Sequence, residues 1–230
     1  MKDNSEKAYI ILRDKILNME FAAGQKLRED ALVDMLEMSR TPIRTALSNL
    51  ARDGLVEIVP KRYSMVAKYS EEEISQIGVA RLGLDIMSAN LALHYGSNAE
   101  MYELLRLCDL QEKAVKEKND NLRREIDCMF HLEISKISKN EILIEMQKNL
   151  YLKVRHILSS HDIDRPNRYA SIDMHRMIVN ALLARDRERT LQCVKDHLFT
   201  YYNFSEKKDI YDFFTLGVLQ KPENHQEERT

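Results

Sequence analysis

The scarcity of glycine and proline limits the fold of this chain more than any other feature of its sequence. The 230 residues include only 6 glycines and 4 prolines, whereas an all-β sandwich or barrel needs a turn about every 8–12 residues. Apolar residues make up 44% of the sequence and charged residues 31%, which suffices for a packed core and is too balanced for a disordered polyelectrolyte. A mainly α-helical globular protein is predicted.

The length of the chain favours two unequal domains, since a typical domain has ~100–150 residues. No stretch of 18 or more residues is free of charge, and the N-terminus leads into no apolar signal core. We therefore expect no membrane partner and a cytoplasmic location. The three cysteines are widely spaced and odd in number, which is typical of reduced thiols. They are Cys108, Cys128 and Cys193.

The first 70 residues carry the pattern of a helix-turn-helix. Apolar residues recur at helical spacing over residues 6–19 and 28–37. A third helix can begin at Ser39 or Thr41, whose side-chain oxygens can cap it, and Gly54 can end it in a left-handed conformation. The arginines of this third helix lie near its N-terminal end and on its polar face, as in a helix that enters the DNA major groove.

Two β-branched runs follow, at residues 55–59 and 64–68, around a basic turn that contains Lys61 and Arg62. This pattern predicts a β-hairpin wing whose basic turn can reach DNA. Taken singly, the arginines are better explained as solvated surface charges. Together with the hairpin, Arg40 and Arg44 favour a DNA-binding winged helix-turn-helix of three helices and a wing.

The segment GQKLREDALVDMLEMSRTPIRTALSNLARDGLVEIVP resembles the DNA-binding domain of GntR-type transcription regulators. The resemblance implies that four residues contact operator DNA: Ser39, Arg40, Thr41 and Arg44. Two positions depart from the family pattern. Glu37 stands where the family has a turn glycine, and Tyr63 stands at the glycine of the wing tip, so we expect a strained or rearranged turn and a less close approach of the wing.

Residues 71–218 are predicted to form an all-α antiparallel helical bundle that follows a boundary near residue 70. Ser70 and Glu73 form a capping-box pattern that opens its first helix, which runs to Gly96. Residues 219–230 are a polar tail. The further helical segments are 98–118, 121–138, 141–160, 169–184 and 188–204, with a short helix possible in 207–217.

Four polar residues are expected to point into this bundle. Asp127 and His131 lie on the apolar stripe of their helix, and burying them is costly unless they are paired or bind a metal. His175 and His197 are equidistant from the turn at residues 185–187, so an antiparallel hairpin places them side by side. The four could enclose a divalent cation. An Asp–His hydrogen bond in the core, with one histidine packed and one exposed, is the simpler alternative.

The segments DCMFHLEISKISKN and DMHRMIVNALLARDRERTLQCVKDHL are similar to the two signatures of the FCD effector domain. The resemblance implies that Asp127, His131, His175 and His197 bind a divalent metal, Zn²⁺ or Ni²⁺, and that a small organic acid effector docks beside it. Arg81 and Asn140 match family positions that suit a polar wall of the effector site. Arg155 is a further effector-binding candidate from its helical position alone.

These observations predict a metabolite-responsive transcription regulator, a repressor that binds operator DNA as a homodimer and is not an enzyme. Two symmetric modules would supply the contact area that operator specificity needs. Effector binding would change the separation of the recognition helices through the linker at residues 68–71. Two alternatives stay open: a metal-dependent hydrolase or lyase that uses the His/Asp site, and a DNA-binding scaffold whose polar cluster is only structural.

Overall fold

A computed structural model of the protein describes residues 4–60, 62–161 and 169–202. The fold is mainly helical, with a small antiparallel sheet near the N-terminus. The elements of the described residues are α1 (Asn4–Leu17), β1 (Lys26–Leu27), α2 (Glu29–Leu36), α3 (Arg40–Arg52), β2 (Val56–Val59), β3 (Tyr63–Val66), α4 (Glu71–Tyr95), α5 (Asn98–Lys116), α6 (Asp120–Ile137), α7 (Glu141–Ser160), α8 (Ala170–Leu183) and α9 (Arg187–Tyr202).

The N-terminal elements form a winged helix-turn-helix, as predicted. The apolar faces of α1, α2 and α3 share one buried core, to which α3 contributes Ile43, Ala46, Leu47 and Leu50. The strands pair in the order β1-β3-β2. Strand β1 was not predicted, because two residues are too few to show an alternating pattern.

The turn between α2 and α3 has a left-handed residue although it lacks a glycine. Glu37 ends α2 with φ 52° and ψ 39°, and its backbone N–H donates to the carbonyl oxygen of Val33. The left-handed conformation costs a residue with a Cβ about 1–2 kcal/mol. The sequence predicted a strained or a rearranged turn, and the structure has the strained one.

The turn of the wing is shorter than the sequence suggested. Tyr63 pairs with Val59 as the first residue of β3, so it belongs to a strand rather than to the turn. The phenol ring of Tyr63 lies under the ammonium group of Lys26, which is 4.4 Å from its centroid. The start of β3, directly after the wing turn, therefore carries an aromatic ring with a cation on its face.

Helices α4 to α9 form the predicted antiparallel bundle around a second core. The capping box of Ser70 and Glu73 is present at the start of α4, and a second one, of Ser97 and Glu100, opens α5. Each predicted segment agrees with its helix to within two residues. The predicted short helix at 207–217 and the tail at 219–230 lie outside the described residues. Across the described ranges, no helix is long and apolar enough to cross a membrane.

Candidate functional site

Three buried histidines from three helices meet inside the bundle. His131 lies on α6, His175 on α8 and His197 on α9. The Nε2 atom of His197 is 3.2 Å from Nε2 of His131 and 3.3 Å from Nε2 of His175. One ligand nitrogen from each ring lies within 4.8 Å of the other two. The alternative in which one histidine is packed and one is exposed is thus wrong.

The two distances that join Nε2 of His197 to the other rings fit a metal site. Zn–N bonds of about 2.0–2.1 Å at a tetrahedral ion place neighbouring ligand nitrogens about 3.3 Å apart. Burial lowers the pKa of His175 to about 3, so its imidazole is neutral at pH 7 and keeps a lone pair for coordination. The donor set therefore suits a borderline divalent cation such as zinc or nickel.

Asp127 lies at the edge of the histidine cluster. Its Oδ1 atom is 3.7 Å from Nε2 of His175, and it accepts hydrogen bonds from Gln111 at 3.1 Å and from Ser171 at 3.1 Å. Burial alone would raise the pKa of Asp127, but its electrostatic interactions with His175, His131 and Arg81 lower it to about 2. The carboxylate is therefore charged and beside the cluster, with its hydrogen bonds already made to neighbouring side chains.

The second nitrogens of two imidazoles are held by buried partners. Nδ1 of His175 lies 3.0 Å from Oε1 of Gln111, and Nδ1 of His131 lies 3.2 Å from Oδ2 of Asp85. Such contacts fix the orientation of a histidine ring and leave Nε2 pointing at the shared centre. The sequence analysis predicted neither role, since it assigned no function to Asp85 or Gln111.

Arg81 is fully buried next to this cluster on α4. Its Nε atom donates to the hydroxyl oxygen of Tyr151 at 3.0 Å and to Asp85 at 3.4 Å. Its two terminal nitrogens, Nη1 and Nη2, have no hydrogen-bond partner among the described residues. The charge of Arg81 is paired with Asp85, and its guanidinium carbon lies 5.0–5.9 Å from the ring centroids of three tyrosines, Tyr151, Tyr201 and Tyr202. Buried N–H donors without an acceptor are rare in proteins, and they mark a place where an anion would be stabilised.

Asn140 and Arg155 lie elsewhere. The side chain of Asn140 caps α7 by accepting from the backbone N–H of Leu143, and the residue is exposed. Arg155 donates to Glu125 at 3.0 Å and contacts Asn18, in the winged-helix domain, at 3.5 Å. The structure does not bring either residue to the histidine cluster. An N-cap and an ion pair use the same side-chain atoms that an effector would need.

The predicted DNA-contacting residues occupy one exposed side of the winged helix. Ser39, Arg40, Thr41 and Arg44 are exposed at the N-terminal end of α3. Arg62 lines an open groove between α3 and the wing together with Arg40 and Arg44. Lys61 lies outside the described residues. Ser39 occupies the N-cap position, but its side chain makes no capping hydrogen bond.

Arg44 is already held in the groove by a residue that the sequence did not single out. Its Nε atom donates to Glu29 on α2 at 2.8 Å, and both side chains are exposed to solvent. A carboxylate so placed orients the guanidinium toward the groove at little cost in stability.

Comparison with known proteins agrees with both domains. Residues 4–66 match the family model described as bacterial regulatory proteins, gntR family, and residues 76–200 match the FCD domain. The HTH-type transcriptional repressor GlaR of Escherichia coli is 28% identical over 87% of this chain and 94% of its own length. The repressor RspR of the same species is 26% identical over 84% of this chain and 85% of its own.

Solved structures share the fold. E. coli McbR/YncC superposes with a TM-score of 0.73 at 22% identity, covering 93% of this chain and all of that one. A GntR regulator from Rhodococcus sp. RHA1 gives a TM-score of 0.76 at 21% identity over 90% and 97% of the two chains. The chain belongs to the GntR family of DNA-binding transcription regulators, in the branch that carries an FCD effector domain. It is a regulator and not an enzyme, so the hydrolase or lyase alternative is set aside.

Proposed function

We propose that this protein is a metabolite-responsive repressor whose bundle binds one divalent metal ion and a small organic acid. Binding of the acid would change the affinity of the winged helix for its operator in the bacterial cytoplasm. The observation that carries the proposal is the meeting of three imidazoles next to a buried arginine, two of whose nitrogens have no hydrogen-bond partner in the part of the chain that the structure describes. GlaR and RspR, both named as repressors, support the direction of the response.

His131, His175 and His197 would hold the metal, with Asp127 beside His175 as the further acidic ligand. Bound there, the ion would supply a Lewis-acidic anchor for a carboxylate oxygen of the effector. Asp85 and Gln111 keep the rings in orientation through their Nδ1 atoms. Zinc and nickel both suit this donor set.

Arg81 would bind the effector carboxylate. Its guanidinium offers two parallel N–H donors in the geometry that a carboxylate accepts. The acid would meet a charged donor that has already lost its hydration, so the pairing is stronger than on the surface. A neutral analogue without the carboxylate would leave Nη1 and Nη2 of Arg81 without an acceptor and bind far more weakly.

Operator DNA would be read by the exposed N-terminal end of α3. Arg40 and Arg44 would contact base edges or phosphates, and Ser39 and Thr41 would contact the DNA backbone. The unpaired N–H groups of the first turn of α3 add a favourable site for a phosphate. Lys61 and Arg62 would contact the adjacent backbone from the wing.

The protein would act as a homodimer. Helices α4 and α7 together present large apolar side chains to solvent, among them Met87, Ile142 and Met146. Leu84 of α4 and Met146 of α7 line one shallow depression, so the two helices form a continuous face. A two-fold axis would pack this face against its own copy and place two recognition helices on one operator.

Operator titration tests the proposal. A labelled duplex, selected from random DNA by the protein itself, is titrated with protein loaded with Zn²⁺, with and without a panel of mono-, di- and tricarboxylic acids. We expect one acid to change the operator Kd by about 5- to 150-fold. The His197→Gln variant should lose the response, whereas a change at exposed His94, His94→Gln, should keep it. If no acid changes the Kd, the proposal is wrong.

A further inference from the structure

Helix α7 contacts both the histidine site and the DNA-binding domain. Tyr151, on its inner side, donates to Asp85 at 2.7 Å and accepts from Nε of Arg81 at 3.0 Å. Its ring stacks on that of His131 with 5.6 Å between centroids. Tyr151 therefore touches the residue that orients a metal ligand, the ligand itself and the arginine that would bind the acid.

The next turn of the same helix packs on the DNA-binding domain. His156 is fully buried, and its Nε2 atom donates to the carbonyl oxygen of Ala67, directly after the wing, at 2.8 Å. Leu152 packs against the N-terminal core. Arg155 reaches Asn18, at the end of α1.

A fourth contact between α7 and the DNA-binding domain lies at the C-terminal end of α3, the proposed recognition helix. Gly54 follows α3 with φ 81°, and a Cβ atom built there would come within 2.5 Å of the Lys153 side chain on α7. Tyr69, whose ring meets the edge of His156 at 6.0 Å, donates to the carbonyl oxygen of Gly54 at 2.6 Å. Lys153 and Tyr69 therefore both lie against Gly54, which follows α3.

We infer that α7 couples the effector site to the recognition helix, with Tyr151 as the residue that senses the site and His156 as the positioning residue that passes the change on. The inference rests on the proposed function and replaces the linker as the main path of coupling. Tyr151 and His156 are five positions apart in one continuous helix, which is about 7.5 Å along its axis. A shift or rotation of α7 at Tyr151 must therefore move the contacts with Ala67, Gly54 and Asn18 together.

A double-mutant cycle on operator affinity tests this inference without knowledge of the effector. Tyr151→Phe removes one hydroxyl at the site, and His156→Phe keeps a ring but removes the donor to Ala67. We expect Tyr151→Phe to change the operator Kd by about 2- to 30-fold, the range of residues that modulate coupling. In the His156→Phe background the same change should leave the operator Kd within about 2-fold of the value for His156→Phe alone.

The result that would overturn the inference is an unchanged effect of Tyr151→Phe in the His156→Phe background, or no effect of Tyr151→Phe in either. Tyr102→Phe, at an exposed tyrosine on α5, is the matched control and should be silent in both backgrounds. If His156→Phe does not fold, as judged by thermal melting, Arg155→Gln takes its place in the cycle. Calorimetric titration with Zn²⁺ is run in parallel. Absence of Zn²⁺ binding would contradict the proposed metal site, whereas the double-mutant cycle would still test the coupling through α7.

Discussion

Arg44 and Arg81 are the same side chain in opposite surroundings. Arg44 is exposed on α3 and paired with Glu29, whereas Arg81 is fully buried and its two terminal nitrogens have no hydrogen-bond partner within residues 4–60, 62–161 and 169–202. An exposed pair contributes little to stability and can exchange its partner for DNA at small cost. A buried cation is costly, and the surrounding structure must hold it in place. The difference separates the proposed DNA-contacting surface from the proposed effector site.

The largest expected effect is on stability at the buried arginine. Arg81→Met should lower the free energy of unfolding by roughly 3–5 kcal/mol, because Asp85 loses its cationic partner and stays buried. Urea denaturation measures the change. Arg44→Met is the matched control and should change the same quantity by less than about 0.5 kcal/mol. Equal losses in the two variants would contradict the contrast drawn between them.

Acid should destabilise the metal-free protein through the histidine cluster. The pKa of His175 is about 3 in the folded protein and ~6.5 in the unfolded chain, so the unfolded state binds more protons as the pH falls. The part of the free energy of unfolding that depends on neutral His175 is fully present above pH ~6.5. It is lost as the pH falls toward 3, at up to about 1.4 kcal/mol per pH unit. Urea denaturation with chelator at several pH values measures this slope. The variant His175→Gln should give a shallower slope, and an equal one would exclude His175 as its source.

The exposed arginine should matter for DNA instead. Arg44→Met should weaken operator binding by about 1–3 kcal/mol, which is roughly 5- to 150-fold. Fluorescence anisotropy at two salt concentrations measures the loss. Arg52→Met, at the C-terminal end of the same helix and away from the groove, is the control and should change the Kd little. If the two variants behaved alike, α3 would not approach DNA by its N-terminal end.

The smallest expected effect is at the turn between α2 and α3. Glu37→Gly should stabilise the protein by about 1 kcal/mol, because glycine adopts the left-handed conformation without steric strain. Asp34→Gly, in the exposed interior of α2, should destabilise it by a similar amount. Thermal melting compares the two. A loss of stability in both variants would show that Glu37 contributes a contact larger than its backbone strain.

The sequence predicted the helices well because their signals are local. The capping box of Ser70 and Glu73, the glycine after α3 and the apolar stripes each act within a few residues. The meeting of His175 and His197 was also predictable, because an antiparallel hairpin relates residues that are equidistant from its turn. Strand β1 was missed because its two residues are recognised as a strand by their pairing with β3, which the sequence does not show.

The residues that surround the cluster could not be predicted in the same way. Gln111 and Tyr151 lie on α5 and α7 and reach His175, Asp85 and Arg81 only through the packing of separate helices. No spacing along the chain encodes such a contact. Arg155 shows the opposite error, since its helical position suggested the effector site, while the arrangement of the two domains gives it Glu125 and Asn18 as partners.

Metal content is the most direct measurement of the central claim. Protein purified without added metal, and then reloaded with Zn²⁺ or Ni²⁺ and freed of excess, is analysed by elemental mass spectrometry. The account predicts about one divalent ion per chain, retained in His94→Gln and lost in His131→Gln and His175→Gln. A wild-type protein that takes up no more metal than the two histidine-cluster variants would contradict it.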